Sequence, residues 1–148
     1  MIRKLKVPHA IHFEPYSNGY VYIPIKFDIN SATDMVINLS MIQLSLVDQI
    51  DIVGENGTAV QLMRETEPCS TSGYIIKSGR IALSAVQVEF AISFLLKYIR
   101  DGIGDVNHID IDLRNRTTDC DEGCLIIQIE SARPLIGKEA RKILGLPV

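Results

Sequence analysis

The sequence contains little cysteine. Its 148 residues include three, Cys69, Cys120 and Cys124. That number is too small for the disulfide scaffold of a small secreted protein, and an odd count favours free thiols. Three residues separate Cys120 from Cys124, whereas redox pairs have two, and a zinc site would need further ligands from elsewhere. The spacing therefore assigns neither thiol a redox or metal role.

Long apolar runs are also absent. The longest, residues 90–99, is interrupted by Ser93 and Lys97 and has about half the length needed to cross a bilayer. The charged residues Arg3, Lys4 and Lys6 interrupt the apolar segment that a signal peptide would require. We therefore predict a cytoplasmic protein that is not associated with a membrane.

An excess of positive charge is the third missing feature. The chain has 15 basic and 18 acidic residues and a formal net charge of −3. Nucleic-acid-binding proteins usually concentrate positive charge on one face, so we expect no nucleic-acid partner. Hydrophobic residues make up 47% and charged residues 22%, which is typical of a globular protein. At this length we predict a single domain, residues 1–148.

The clearest local pattern is a capped helix over residues 85–101. Ser84 and Gln87 have the spacing of a capping box, and Gly102 stands where a helix commonly ends. Apart from a narrow polar stripe (Glu89, Ser93, Lys97 and Arg100), the helix is apolar around most of its circumference. Two interpretations stay open: a curved sheet surrounds the helix, or the helix also contacts a second copy of the chain.

Alternating polar and apolar residues predict several strands. They are residues 20–29, with 7–13 as a hairpin partner; hairpins 50–53 with 58–63 and 74–76 with 80–83; and the antiparallel pair 106–113 and 125–129. Pro24 places the strand 20–29 at a sheet edge or at a bulge. Residues 39–50 fit either a strand or a helix, and we predict a strand first.

The predicted fold class is α+β. Five to eight mostly antiparallel strands pack against one long helix, and a short helix, 137–144, lies near the C-terminus. We find no internal repeat in the sequence.

Two groups of polar residues are candidates for a binding surface. His108, Asp110 and Asp112 alternate along one strand and therefore share a face. Asp119, Asp121 and Glu122 form an acidic loop after that strand. Charge complementarity accelerates the encounter between two proteins, so both groups suit a basic partner.

The leading hypothesis is a non-enzymatic cytoplasmic interaction module without cofactors. An example is an inhibitor or immunity-type protein that neutralises a basic toxin or another enzyme. The main alternative is a small metal-dependent enzyme or ligand-binding protein that uses His108, Asp110 and Asp112, with His12 as a further ligand. A second alternative is a self-assembling structural subunit that associates through the helix 85–101.

Overall fold

The computed structural model describes residues 1–15, 19–66, 72–77, 79–102, 106–115, 122–130, 138, 141–142 and 144–147. Two helices are present in these ranges, α1 (Ile29–Gln43) and α2 (Ala85–Asp101). The strands are β1 (Ile2–Lys6), β2 (Glu14–Pro15), β3 (Val21–Phe27), β4 (Gln49–Val53), β5 (Ala59–Arg64), β6 (Gly73–Lys77), β7 (Arg80–Leu83), β8 (His108–Asn115) and β9 (Gly123–Ile129). The α+β class is confirmed, but the predictions of five to eight strands and of one long helix are wrong, since nine strands and two long helices are described.

The strands described form one sheet in the order β1-β4-β5-β7-β6-β8-β9-β3-β2. Consecutive strands make the four antiparallel pairs, β2–β3, β4–β5, β6–β7 and β8–β9. Strands distant in sequence make four parallel pairs, β1–β4, β3–β9, β5–β7 and β6–β8. The prediction of a mostly antiparallel sheet is therefore wrong, because alternation within a strand identifies no distant neighbour.

The helix predicted at 85–101 is confirmed with its caps. The Ser84 side chain accepts a hydrogen bond from the Gln87 backbone N–H, and the Gln87 side chain accepts one from the Ser84 N–H. Gly102 ends the helix with φ of 75°, in the left-handed region that favours glycine.

The strand predicted first for 39–50 is wrong over its first half, because residues 39–43 belong to α1. Asp28 and Ser31 form a capping box at the start of this helix. The buried apolar side chains of α1 recur at three- and four-residue spacings: Ala32, Met35, Leu39 and Ile42. The cap and the first of these residues lie upstream of 39–50, so the ambiguous window contained only the end of the pattern. At the end of the window, Gln49 and Ile50 belong to a strand, β4.

The two helices pack against each other in antiparallel fashion. Gln43 at the end of α1 donates a hydrogen bond to Glu89 in the first half of α2 at 3.0 Å. At the other end, Asp28 lies close enough to Tyr98 to affect its ionisation. The partly buried Ile92, Phe94 and Ile99 pack against the shared core, so contacts with both α1 and the sheet explain the wide apolar surface of α2.

The sheet is strongly curved. His9, which follows β1, contacts the carboxylate of Glu130, which follows β9, although five strands lie between β1 and β9 in the sheet. The segment 7–13 crosses between the two edge strands and is not the predicted hairpin partner of β3. Of the described residues that precede β3, only Glu14 and Pro15, in β2, pair with it.

The topology repeats, although no internal repeat was expected from the sequence. β2-β3-α1-β4-β5 and β6-β7-α2-β8-β9 each consist of a hairpin, a capped helix and a second hairpin. Equivalent residues make equivalent bonds: Glu65 N–H donates to Leu83 O at 2.7 Å, and Glu130 N–H donates to Phe27 O at 2.9 Å. Leu83 and Phe27 both directly precede a helix cap, so the two halves can be aligned residue by residue.

Most of the remaining local predictions are confirmed. The hairpins β4–β5 and β6–β7 are present, and β8 and β9 are antiparallel. Pro24 lies beyond the part of β3 that β2 covers, and no other strand among the described residues pairs with it on that side. The predicted helix 137–144 falls largely outside the described residues. No helix in the described ranges has the length and apolar character needed to cross a membrane.

One polar atom in the core leads to a stability prediction. Tyr98 is 2% exposed, and its hydroxyl has no hydrogen-bond partner within the described structure. Burial, with smaller contributions from Glu130 and Asp28, raises its pKa to about 12. Because the folded pKa lies above the unfolded value, stability is expected to fall as pH rises from about 10 to 12.

We therefore expect Tyr98→Phe to be as stable as the wild type or more stable, by roughly 1 kcal/mol at pH 7, since it removes an unsatisfied buried group. Urea denaturation at pH 7, 10 and 11.5 measures this difference. The advantage of the variant should increase with pH, and a variant destabilised at every pH would show that the hydroxyl has a partner.

Candidate functional site

The register of four strands creates a polar surface on the outer face of the sheet, on the side away from the buried residues Ile111, Leu125 and Ile127. Cys124 in β9 lies between Asp112 of β8 and Tyr22 of β3, and Tyr22 is also paired with Glu14 of β2. Side chains of directly paired residues share a face, so these four residues form one row across the sheet. The adjacent row runs across β8, β9 and β3 through Asp110, Ile126 and Pro24. The row after it runs across the same strands through His108, Gln128 and Lys26.

Tyr20 lies next to Tyr22 and extends the row of Asp112 and Cys124. The rings of Tyr20 and Tyr22 are in edge contact, with centroids 5.0 Å apart and an angle of 61° between their planes. Burial raises the pKa of Tyr20, and Cys124, Asp112, Tyr22 and Glu122 raise it further. Tyr20 is thus surrounded by acidic groups. We call this surface the acid–tyrosine face; it consists of Glu14, Tyr20, Tyr22, Asp110, Asp112 and Glu122.

Cys124 lies within this row, between Asp112 and Tyr22, and is 3% exposed. Burial, and then the charges of Asp110 and Asp112, raise its pKa from 9.0 to about 11, although hydrogen bonds with the Ile111 backbone and the Tyr20 side chain act in the opposite direction. Thiolates, not thiols, are nucleophiles and metal ligands. At neutral pH the arrangement therefore favours an unreactive, protonated Cys124 that fills space between the strands.

This environment predicts the reactivity of the thiol. In a Cys69→Ser/Cys120→Ser background, native Cys124 should react with an aromatic disulfide reagent at pH 8 at least roughly 100-fold more slowly than after unfolding in guanidinium, because it is buried and protonated. The rate should rise only as the pH approaches 11. Equal native and denatured rates at pH 8 would contradict the assignment.

The predicted site residues fall into two groups. His108, Asp110 and Asp112 share the exposed face of β8, as predicted, and Glu122 lies beside Tyr20. Asp119 and Asp121 lie outside the described residues, as does Cys120. His108 is at the margin of the face: its Nδ1 is 2.8 Å from the Asn107 side-chain oxygen and its Nε2 is 3.8 Å from Asp110 Oδ1.

The metal-site alternative receives no geometric support. No three His, Cys, Asp or Glu side chains converge on a possible metal position among the residues that the structure describes. His12 is exposed in the segment between β1 and β2. The metal-dependent function stays a prediction from the sequence.

The sequence alone did not predict that Tyr20 and Tyr22 lie near the carboxylates of β8. The missing information was the parallel pairing of β3 with β9, which brings Tyr22 to within two strands of Asp112. The sequence does contain one relevant pattern: Tyr20, Tyr22 and Pro24 alternate with apolar residues that face the core. That alternation identifies a polar face but not the strand beside it.

Comparisons with known proteins supply no relative from which a function can be transferred. No family model, no curated protein and no solved structure matches this chain. The function must therefore be inferred from the geometry and charge of the molecule.

Proposed function

We propose that this protein is a non-enzymatic interaction module that binds a basic protein through the acid–tyrosine face. The observation that carries the proposal is the row formed by Asp112, Cys124, Tyr22 and Glu14, in which a tyrosine and a buried thiol lie between two carboxylates. Tyrosine rings and carboxylates together suit lysine and arginine side chains, which bind carboxylates ionically and pack against aromatic faces.

The rigidity of the surface supports the same function. Cys124, within the row, is buried, and Leu125 and Ile127 on the other face of β9 are in the core. A face held by paired strands over a packed core loses little conformational entropy on binding, and preorganisation of this kind favours affinity. An inhibitor or immunity-type protein that covers the active site of a basic toxin or enzyme in the cytoplasm is the form of this function that we favour.

Affinity capture followed by an activity assay tests the proposal. Immobilised wild-type protein is compared with Asp110→Asn/Asp112→Asn, and Asp34→Asn/Glu55→Gln, two exposed carboxylates outside the face, is the matched control. We expect a basic protein to be captured by the wild type and the control but not by the Asp110→Asn/Asp112→Asn variant. The captured protein should lose its own activity when saturated with the wild type.

Capture that does not depend on Asp110 and Asp112 would refute the acid–tyrosine face as the binding surface. Turnover of a substrate by the purified protein, with no captured partner, would refute the non-enzymatic function.

A further inference from the structure

The acid–tyrosine face ends at β2, in which Glu14 and Pro15 pair with Tyr22 and Val21 of β3. A pairing of two residues contributes little stability by itself, so the place of Glu14 depends on the chain around it. The chain that leads into β2 is the crossing segment, residues 7–13, which begins at the end of β1. Contacts of this segment therefore influence one end of the binding row.

The turn of the β4–β5 hairpin binds the crossing segment along one side. Val7 N–H donates to Val53 O at 3.0 Å, and Glu55 N–H donates to His9 O at 3.1 Å. Both bonds continue the parallel ladder of β1 and β4, in which Lys6 lies opposite Val53. Every second residue of the segment thus presents its backbone to the hairpin, as in a strand.

Asn56 extends this ladder with its side chain. Its Oδ1 accepts a hydrogen bond from Ile11 N–H at 3.1 Å, and its Nδ2 donates one to Ile11 O at 3.0 Å. Ile11 is 1% exposed, and buried backbone groups need partners. An asparagine amide offers an acceptor and a donor together, as a peptide group does, so it takes the place of a neighbouring strand.

Two further contacts fix the path of the crossing segment. A Cβ at Gly54 would lie 2.7 Å from the Ile11 nitrogen, so the segment passes directly against the hairpin turn. On the other side, His9 contacts the carboxylate of Glu130, which follows β9. The segment is therefore held by both halves of the molecule.

Turn formation alone does not require an asparagine at position 56. Asn56 Oδ1 also accepts a hydrogen bond from Thr58 N–H at 3.3 Å, and an aspartate in a turn can accept the same bond. The Nδ2 donor is different, because an aspartate lacks it and would place an oxygen against Ile11 O. Asn56→Asp therefore separates the contact with the crossing segment from the turn.

We propose that Asn56 is a positioning residue for partner binding, which holds the crossing segment and thereby fixes Glu14 at the end of the acid–tyrosine face. The proposal rests on the function proposed above and adds a residue of the other half of the molecule to it. Without this contact, Glu14 would have to be ordered when the partner binds, and that ordering would lower the affinity.

Amide hydrogen exchange of Tyr22 reports the place of Glu14 without a partner. Val21 N–H donates to Glu122 O, on the β9 side of β3. Successive residues alternate, so Tyr22 N–H points towards β2, where Glu14 lies opposite. In Asn56→Asp we expect exchange of this amide to be at least about tenfold faster, with exchange of the core residue Leu125 unchanged, because only β2 is released.

Affinity for the basic protein captured by the wild type gives the second measurement. Asn56→Asp should weaken binding about three- to tenfold, although its added negative charge favours a basic partner. In a Glu14→Gln background, the same substitution should change the affinity by less than about twofold, since the group that it positions is already removed. A merely structural role of Asn56 would give equal losses in both backgrounds.

Two other variants accompany these measurements. His9→Ala releases the crossing segment from Glu130 and leaves the hairpin turn intact, so it should reproduce the pattern of Asn56→Asp if that variant folds poorly. Ser84→Ala is the matched control, because it also removes a bond between a side chain and the backbone, but at the start of α2. It should change neither the exchange of Tyr22 relative to Leu125 nor the affinity.

Unchanged exchange of Tyr22 in both Asn56→Asp and His9→Ala would overturn the positioning role, as would equal affinity losses with and without Glu14. If capture depends on Asp110 and Asp112 but not on Asn56, the positioning role fails and the proposed function stands. The absence of any captured partner would refute both.

Discussion

Replacing Leu95 with alanine is expected to lower the free energy of unfolding by about 2–5 kcal/mol. Leu95 is 0% exposed and lies on the face of α2 that enters the core with Val88, Ala91 and Tyr98. The surrounding side chains come from both helices and the curved sheet, so the cavity can collapse only in part. Urea denaturation, monitored by circular dichroism, measures the loss.

The adjacent residue provides the control. Leu96 has the same chemistry but is 49% exposed on the outer side of α2, and Leu96→Ala should change stability by no more than roughly 0.5–1 kcal/mol. Similar losses for both variants would contradict the orientation of α2.

Self-assembly through residues 85–101 stays a prediction, and Leu96→Ala also tests it. Val86, Phe90 and Leu96 are exposed large apolar residues of this helix. If the helix mediates association, Leu96→Ala should lower the stability of the oligomer at high protein concentration more than that of the monomer at low concentration. Light scattering that detects only monomer at micromolar concentrations would eliminate this alternative.

Reversing the charges of Asp110 and Asp112 with lysine should weaken partner binding by roughly 100-fold or more. Close charge pairs across interfaces contribute about 1.5–7 kcal/mol by double-mutant cycles, and lysines at these positions would add repulsion of a basic partner. Both side chains are exposed, so the variant should keep the stability of the wild type. Surface plasmon resonance with the captured partner, at two salt concentrations, measures the effect.

A second double variant separates local contacts from the overall field of the protein. Asp34→Lys/Glu55→Lys changes the net charge by the same amount at two exposed positions outside the acid–tyrosine face. We expect its affinity to stay within about threefold of the wild type, with the change mainly in the association rate. Equal losses for the two double variants would mean that net charge alone governs binding.

The fold was predictable wherever the information was local. The hairpins β4–β5 and β6–β7, the cap formed by Ser84 and Gln87, and the β8–β9 pair depend on residues close in sequence, and all are present, whereas the predicted hairpin of 7–13 with 20–29 is not. α1 was missed because its residues include β-branched Ile, Thr and Val, whose intrinsic preference for helices is low. The cap at Asp28 and Ser31 and the packing against α2 outweigh that preference.

The parallel pairings were not predictable from one sequence. β3 meets β9 across roughly 100 intervening residues, and nothing in the alternation of either strand selects the other. For the same reason the carboxylates of β8 were predicted as a surface, but their neighbours Tyr20 and Tyr22 were not. The structural repeat leaves only a short trace in the sequence: residues 47–52 and 106–111 share Val, Ile, Asp and Ile at the same spacing.

Hydrogen–deuterium exchange of the complex with the captured partner tests the central claim most directly. We expect partner binding to slow exchange in residues 108–112 and 20–26 and to leave exchange in α1 and α2 unchanged. Protection confined to α1 and α2, with unchanged exchange in β8 and β3, would contradict the claim that the acid–tyrosine face is the surface this protein presents to its partner.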